Sequence, residues 1–230
     1  MSALRLRLLT PRALDQLWRE DVSRGKITVP LDGPEPPLPA EMEVEVELLS
    51  ETQVTVRFQA REILEIPYGG RRVRGTILNR QEAEGSFLAA MGRCPLLGRS
   101  VLVASRGQRL GLELIPPLAV QGARVTVVHD GEQAFEVLAE GLLHMATAIL
   151  EVELEGRQGP QVLADLKALG GEPDFPIFLI APEGSDPADR EAWAEALSVE
   201  AVFDGSESAE AALQRILSAV RAQEEGWHLL

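Results

Sequence analysis

From Gly98 onward, short apolar runs alternate five times with stretches of helical periodicity, and no other feature of the 230-residue chain constrains its fold as strongly. An apolar run followed at once by an amphipathic helix is typical of a parallel strand that is buried on both faces. The repeats therefore predict a doubly wound α/β domain, whose functional site would lie at the carboxyl ends of the strands. Pro116 and Pro117 predict a kinked or split first helix, because proline cannot donate a main-chain hydrogen bond. The expected strands are Ser100–Ala104, Arg124–Val128, Thr147–Glu151, Pro176–Ile180 and Ala201–Phe203, and the expected helices are Gln108–Val120, Gly131–Glu140, Gly159–Ala168, Pro187–Ser198 and Ser208–Ala222.

The first part of the chain has a period of two instead. Residues 41–48 alternate between apolar side chains and glutamates, which predicts an antiparallel strand with one solvated face. Residues 54–58 repeat the pattern, and the phase shifts between Phe58 and Ile63, which predicts a bulge near Arg61. A helix is expected over Glu82–Gly92, with Phe87, Leu88 and Met91 packed. We expect a small antiparallel β-barrel domain over residues 1–95, an α/β domain over residues 98–223 and a C-terminal tail over residues 224–230.

The charge is divided unevenly between these two parts. Residues 1–95 carry 13 Lys and Arg against 14 Asp and Glu, a balance of -1, and residues 96–230 carry 9 against 22, a balance of -13. Such an acidic half repels the phosphate backbone of nucleic acids, so we expect no nucleic-acid partner. The single cysteine, Cys94, allows no internal disulfide and fits a reducing compartment. The chain has no apolar run of membrane-spanning length, so we expect no membrane insertion and a cytoplasmic location.

Residues 21–26 form a turn before a β-branched strand, and a proline-rich loop and the alternating strand follow. This order resembles the PilZ-like family of small barrels, some of which bind cyclic di-GMP. The resemblance implies a ligand site formed by Asp21, Ser23, Arg24, Lys26, Arg71, Arg72 and Arg74. In this sequence Lys26 replaces the last glycine of the DxSxxG pattern, and no upstream arginine pair has the RxxxR spacing. The alternative is that Asp21 and Ser23 only stabilise the turn by side-chain hydrogen bonds to the backbone.

The second part resembles the receiver domains of two-component response regulators. The resemblance rests on the apolar strand Val101–Val103, on residues 129–134, which match the xDGxxA opening of the second helix, and on the loop from Glu151 to Gly159. In receivers an acidic pair holds Mg²⁺, an aspartate accepts a phosphoryl group, and a Thr or Ser and a Lys complete the site. In this chain the acidic pair corresponds to Ser105 and Arg106, the phosphoryl acceptor to Glu151, the Thr or Ser to Ala181 and the Lys to Gly205. The aromatic position of the last strand falls on or beside Val202.

None of these five positions retains the usual residue of a receiver. Without the acidic pair, Mg²⁺ loses its oxygen ligands, and without metal and lysine nothing neutralises a transferred phosphoryl group. The resemblance therefore implies a pseudo-receiver that is not phosphorylated in the usual way. Two interpretations of Arg106 stay open: its guanidinium pairs with Glu151 in place of the metal–aspartate site, or Arg106 points to solvent and Glu151 pairs with nothing.

We predict a noncatalytic signalling adaptor that acts through protein contacts, without metal, cofactor or catalytic residues. By analogy with receivers, the partner surface would be the fourth helix, the fifth strand and the fifth helix, including Trp193 and Leu197. The alternative is a cyclic di-GMP sensor, in which Arg24, Lys26 and the arginines at 71–74 converge on one pocket. An enzyme is the third alternative, and no nucleophile–base pair or phosphate-binding glycine loop favours it.

Overall fold

The computed structural model describes residues 4–31, 33–49, 52–67, 70–141, 145–170 and 173–227, with side chains up to residue 223. The chain divides into two compact units, residues 1–97 and 98–230. In the described ranges no helix combines the length and the apolar character that crossing a membrane requires.

The first unit is a curled five-stranded sheet with two helices packed on its core. The strands hydrogen-bond in the order β1–β3–β4–β5–β2, and β1 and β2, at opposite edges, have Cα atoms within 8 Å of each other. No ladder joins these two edges in the described residues. The predicted all-antiparallel barrel is wrong in one respect, because β1 runs parallel to β3, with Leu4 opposite Val44. The elements are β1 (Leu4–Leu8), α1 (Pro11–Glu20), a 3₁₀ turn (Val22–Arg24), β2 (Lys26–Pro30), β3 (Ala40–Leu48), β4 (Thr52–Ile66), β5 (Gly70–Ile77) and α2 (Arg80–Met91).

The bulge predicted near Arg61 is present. The β4–β5 register shifts between Ala60 and Glu62, so one extra residue lies in β4 opposite β5. Before the bulge even-numbered β4 residues such as Phe58 and Ala60 face the core, and after it the odd-numbered Ile63 does. The bulge thus explains the change of phase in the sequence.

Helix α2 belongs to the core of the first unit. Ala83, Phe87 and Ala90 are fully buried against the sheet, and Met91 packs at their edge. The expectation that Leu88 is packed is wrong, because its side chain lies on the opposite side of the helix and the residue is 53% exposed. The helical period of 3.6 separates Leu88 from the buried positions 83, 87 and 90.

The second unit is the predicted doubly wound α/β domain. Its five parallel strands lie in the order β10–β9–β8–β6–β7, which by position in the chain is the 2-1-3-4-5 order of flavodoxin-like sheets, including receivers. Helix α3 packs beside α7, and α4, α5 and α6 form a separate row. The predicted tail begins inside α7, and residues 228–230 lie outside the described ranges. The elements are β6 (Ser100–Ala104), α3 (Arg109–Val120), β7 (Arg124–Val128), α4 (Gly131–Gly141), β8 (Met145–Glu151), α5 (Gly159–Ala168), β9 (Ile177–Ala181), α6 (Pro187–Leu197), β10 (Ala201–Asp204) and α7 (Ala209–Trp227).

The two prolines in α3 do not split the helix, which runs unbroken from Arg109 to Val120. Proline at 116 and 117 leaves the carbonyls of Leu112 and Glu113 without their usual partners. Both of these residues are exposed, so water can solvate the two carbonyls. Of the two predicted alternatives, a kinked or a split helix, the split is therefore wrong.

Candidate functional site

The register of the parallel sheet brings the five predicted site positions to one edge. Leu150 lies opposite Ala104, so Ser105 and Glu151 follow each other at the ends of β6 and β8. Glu151 lies opposite Ile180, and Ala181 ends β9. All strands are parallel, so their carboxyl ends meet. The connection after β6 leads to α3, which lies beside α7, and the connection after β8 leads to α5, which lies in the other row of helices. The space between β6 and β8 is therefore the topological switch point of the sheet, where ligands bind in folds of this kind.

This crevice is filled by the side chain of Glu151, which is fully buried. Its Oε1 accepts hydrogen bonds from the Ser105 hydroxyl and from the Gln108 N–H, the latter at 3.0 Å. Its Oε2 accepts a hydrogen bond from the Arg106 N–H at 2.7 Å. Ser105 Oγ in turn accepts a hydrogen bond from the Gly107 N–H at 3.1 Å. The loop after β6 therefore wraps its donors around a carboxylate that belongs to the chain itself.

Two glycines allow the chain to close over this carboxylate. A Cβ on Gly111 would lie 2.7 Å from Ser105 Oγ and 2.9 Å from Glu151 Oε1, so only glycine lets α3 lie directly on the pair. A Cβ on Gly159 would lie 2.4 Å from the main-chain oxygen of Glu151. Helices α3 and α5 thus confine Glu151 from two directions, α3 at its carboxylate and α5 at its main-chain oxygen.

The predicted pair between the Arg106 guanidinium and Glu151 is wrong. The Arg106 side chain is 59% exposed and pairs with Glu155 at 3.4 Å, whereas its main-chain N–H binds Glu151. The alternative was correct about the solvent exposure of Arg106 and wrong that Glu151 has no partner. The physical reason is the cost of desolvating a guanidinium. Main-chain N–H groups at the end of β6 already lie beside the carboxylate, so the Arg106 side chain does not have to be buried to pair with it.

Sequence reasoning missed Asp204. The predicted lysine position was Gly205, but β10 is one residue longer than expected and Asp204 lies directly opposite Ala181. Asp204 Oδ1 accepts hydrogen bonds from the Ser206 hydroxyl and from the Ser206 N–H, and Oδ2 lies 3.9 Å from the Arg190 guanidinium. These contacts, the Ser206 hydroxyl first, lower the pKa of Asp204 from 3.8. A negative charge therefore lies next to Gly205, the predicted lysine position. The signal in the sequence that could have revealed Asp204 is a polar residue directly after an apolar strand.

Two further side chains support the loop and the last strand. His129 Nδ1 lies 3.0 Å from the Ser105 carbonyl oxygen, so it donates a hydrogen bond that holds the start of the loop. Beside Val202, where the aromatic position was expected, Phe203 is fully buried and stacks on Phe178 with ring centroids 5.2 Å apart. This stacking holds the aromatic ring of β10 in the core.

The residues proposed for partner binding are only partly available at the surface. Trp193 and Leu197 pack as half-buried side chains against the core of the second unit. They are the main apolar contacts of α6, which has no fully buried residue. Their first role is therefore to hold α6 on the sheet.

The cationic residues predicted as a ligand site in the first unit do not form one cluster. Arg71 donates hydrogen bonds to Glu35 and to the Gly33 carbonyl, at 2.9 and 2.8 Å. Arg74 binds the Thr28 hydroxyl at 3.0 Å and Glu62 at 3.3 Å. Alternation along β5 directs Arg71 to one face of the strand and Arg72 and Arg74 to the other. Strand β5 lies between β4 and β2, so these arginines are not on an edge strand of the sheet.

The turn at residues 21–26 is held by main-chain bonds. The Asp21 carbonyl accepts hydrogen bonds from the N–H groups of Arg24 and Lys26, at 2.9 and 3.1 Å. Gly25 adopts a positive φ of 68°, and the Arg80 guanidinium donates a hydrogen bond to the Ser23 carbonyl at 3.1 Å. Main-chain hydrogen bonds therefore hold this turn, and the Asp21 side chain makes no capping hydrogen bond to it.

No protein-family model matches the sequence, and no curated protein matches it. Among solved structures, the chain is similar to the receiver domain of Francisella response regulator 1452, with 13% identity and a TM-score of 0.48 over 54% of this chain and 98% of that chain. It is also similar to a CheY-like response regulator receiver domain protein from Methanospirillum hungatei JF-1, with 12% identity and a TM-score of 0.48 over 56% and 98% of the two chains. The receiver-like fold is defined here by the strand order of the sheet.

Proposed function

We propose that the chain is a noncatalytic signalling adaptor of the cytoplasm, in which a receiver-like unit keeps one conformation without phosphorylation and acts through protein contacts. The observation that supports the proposal is the buried Glu151 carboxylate, which accepts hydrogen bonds from Ser105, Arg106 and Gln108. The donors that could hold a phosphoryl group at the switch point are already occupied by this residue. The unit is therefore a pseudo-receiver in which an internal anion permanently replaces a regulated one.

The charges around the edge support the same conclusion. The two positions for Mg²⁺ ligands are a buried serine and an arginine whose guanidinium points outward, so hard oxygen ligands are missing. Asp204 adds negative charge next to Gly205, the predicted position of the cation that would stabilise the transferred group. Phosphoryl transfer to this edge lacks both of its electrostatic supports.

The experiment is incubation of the purified protein with acetyl phosphate and Mg²⁺, followed by intact-mass spectrometry and hydrogen exchange of the loop at residues 105–108. We expect an unchanged mass and unchanged protection of the loop, whereas a phosphorylatable receiver domain treated in parallel gains a phosphoryl group. A mass increase that maps to the second unit, or a change in loop protection on adding the phosphodonor, would refute the proposal.

A second candidate function is a cyclic di-GMP sensor with a PilZ-like first unit. The observation that favours it is that Lys26, Arg72 and Arg74 project from one face of the β2–β5 pair, with Thr28 opposite Arg74 and Pro30 opposite Arg72. Calorimetric titration with cyclic di-GMP tests this candidate. Binding that is lost in Arg72→Ala and kept in Arg12→Ala, a change of an exposed arginine on α1, would establish a sensor. The absence of heat in the wild type would leave the adaptor.

A further inference from the structure

The C-terminal half of β4 has an unpaired edge. The ladder between β3 and β4 ends at the pair Ala40–Ala60, whereas β4 continues to Ile66 and pairs beyond the bulge with β5 alone. The chain before Ala40 cannot extend β3 along this edge in a regular ladder, because Pro36, Pro37 and Pro39 have no N–H to donate. In the described residues no other strand pairs with this side of residues 62–66.

The register identifies the main-chain groups that point outward from this edge. Leu31 N–H donates to the Arg71 carbonyl at 3.0 Å, so the polar groups of Arg71 point toward β2. Glu65 lies opposite Arg71, and Ile63 lies opposite Val73. Because hydrogen-bonded and non-hydrogen-bonded pairs alternate in antiparallel ladders, the N–H and C=O groups of Ile63 and Glu65 point away from β5.

The N-terminal half of β4 also has main-chain groups that no strand pairs with in the described residues, and the side chain of Asn79 covers them. Arg57 N–H donates to Asn79 Oδ1, and Asn79 Nδ2 donates to the Thr55 carbonyl, both at 2.8 Å. A side-chain amide thus replaces the missing strand. Proteins usually block or cover exposed edges, because such edges pair with other chains. The edge at Ile63 and Glu65 has no such cover in the described residues.

We propose that this segment, residues 62–66, is a self-association edge that pairs antiparallel with the same segment of a second copy of the chain. A two-fold axis at Leu64 places Ile63 opposite Glu65 of the second copy, so the outward N–H and C=O groups of both residues meet their complements. The same axis brings the two Leu64 side chains together. Leu64 is half-buried and does not belong to the core cluster of the first unit.

Charge supports a second copy as the occupant. Another register in which the outward groups meet has its axis at Glu65, which would place Glu65 opposite Glu65 of the second copy, and the axis at Leu64 avoids these opposed like charges. The first unit has a charge balance of only -1, so two copies of it repel each other weakly despite the net charge of -14 on the whole chain. A ladder of five residues per copy is far smaller than a standard interface of about 800 Å² per partner, so we expect a Kd on the order of 0.1 mM.

The test is sedimentation equilibrium of the full chain over a series of concentrations. The wild type is expected to approach twice its mass of 25.0 kDa as the concentration rises. Leu64→Lys and Leu64→Glu each place like charges at the axis and should weaken association roughly tenfold. An equimolar mixture of the two variants should associate again, because opposite charges then meet at the axis.

A second pair of variants tests the ladder itself. Glu65→Pro removes an outward N–H that β5 does not use, so circular dichroism should show an intact fold while self-association is lost. Glu65→Gln keeps the N–H and should still associate. The proposal is overturned if the wild type stays monomeric at every soluble concentration, if Glu65→Pro associates as the wild type does, or if mixing the two Leu64 variants restores nothing.

Discussion

The replacement Glu151→Ala tests the central feature of the site. It leaves three donors without an acceptor in a buried position: the Ser105 hydroxyl and the N–H groups of Arg106 and Gln108. Each unsatisfied buried donor costs about 1 kcal/mol or more, which gives a loss of roughly 3 kcal/mol in the free energy of unfolding. Relief of the desolvation of a buried carboxylate opposes this loss, and the three hydrogen bonds to the charge are expected to outweigh it.

The assay is urea denaturation of the full chain combined with hydrogen exchange at Arg106 and Gln108. Both amides should lose protection in Glu151→Ala, while the amides of β6 keep theirs. The matched control is Glu155→Ala, because Glu155 lies in the loop that follows Glu151 and its side chain, which is 68% exposed, forms an exposed ion pair with Arg106. It should change stability by less than about 1 kcal/mol. A Glu151→Ala protein as stable as this control would refute the idea that the carboxylate organises the loop.

Three other changes have defined outcomes. Gly111→Ala places a methyl group 2.7 and 2.9 Å from the two oxygens beneath it and should cost about 1–3 kcal/mol in thermal unfolding, whereas Gly85→Ala, on a helix face with nothing within 4 Å, should stabilise by about 0.5–1 kcal/mol. Arg106→Ala should leave the urea midpoint nearly unchanged, because only an exposed ion pair is lost. The carboxyl pKa of Asp204, followed by NMR, should lie below 3.8 because of Ser206. A carboxyl whose pKa is lower in the folded state stabilises above the unfolded value, and this contribution should disappear as the pH falls through the folded pKa.

Periodicity predicted every helix and strand of the second unit, with bounds within two residues except at the end of α7, which runs five residues further than predicted. β6, β7 and α5 have the predicted bounds, since strands buried on both faces and amphipathic helices leave strong signals. Strand β10 was predicted one residue too short. Its last residue, Asp204, is polar, so the apolar pattern ended at Phe203, although the backbone of Asp204 continues the ladder opposite Ala181.

In the first unit the sequence indicated strands but not their partners. The alternation in β3 and the change of phase at Arg61 were visible, and the bulge followed from them. The parallel pairing of β1 with β3 had no local signal, because β1 shows the same alternation whichever way its neighbour runs. The cover that Asn79 provides over β4 was equally invisible, since an asparagine after a strand is an ordinary turn residue.

The sequence by itself determined which residue types stand at the receiver-like edge, because Ser105, Glu151 and Ala181 lie at positions given by the strand pattern. It also determined that the two units differ in charge. Only the tertiary structure decided what Glu151 does. Its partners are main-chain N–H groups, which every residue has, so no side-chain pattern reveals them. Whether such donors converge on a carboxylate depends on loop geometry and on the close approach of α3 at Gly111, and both are set by packing.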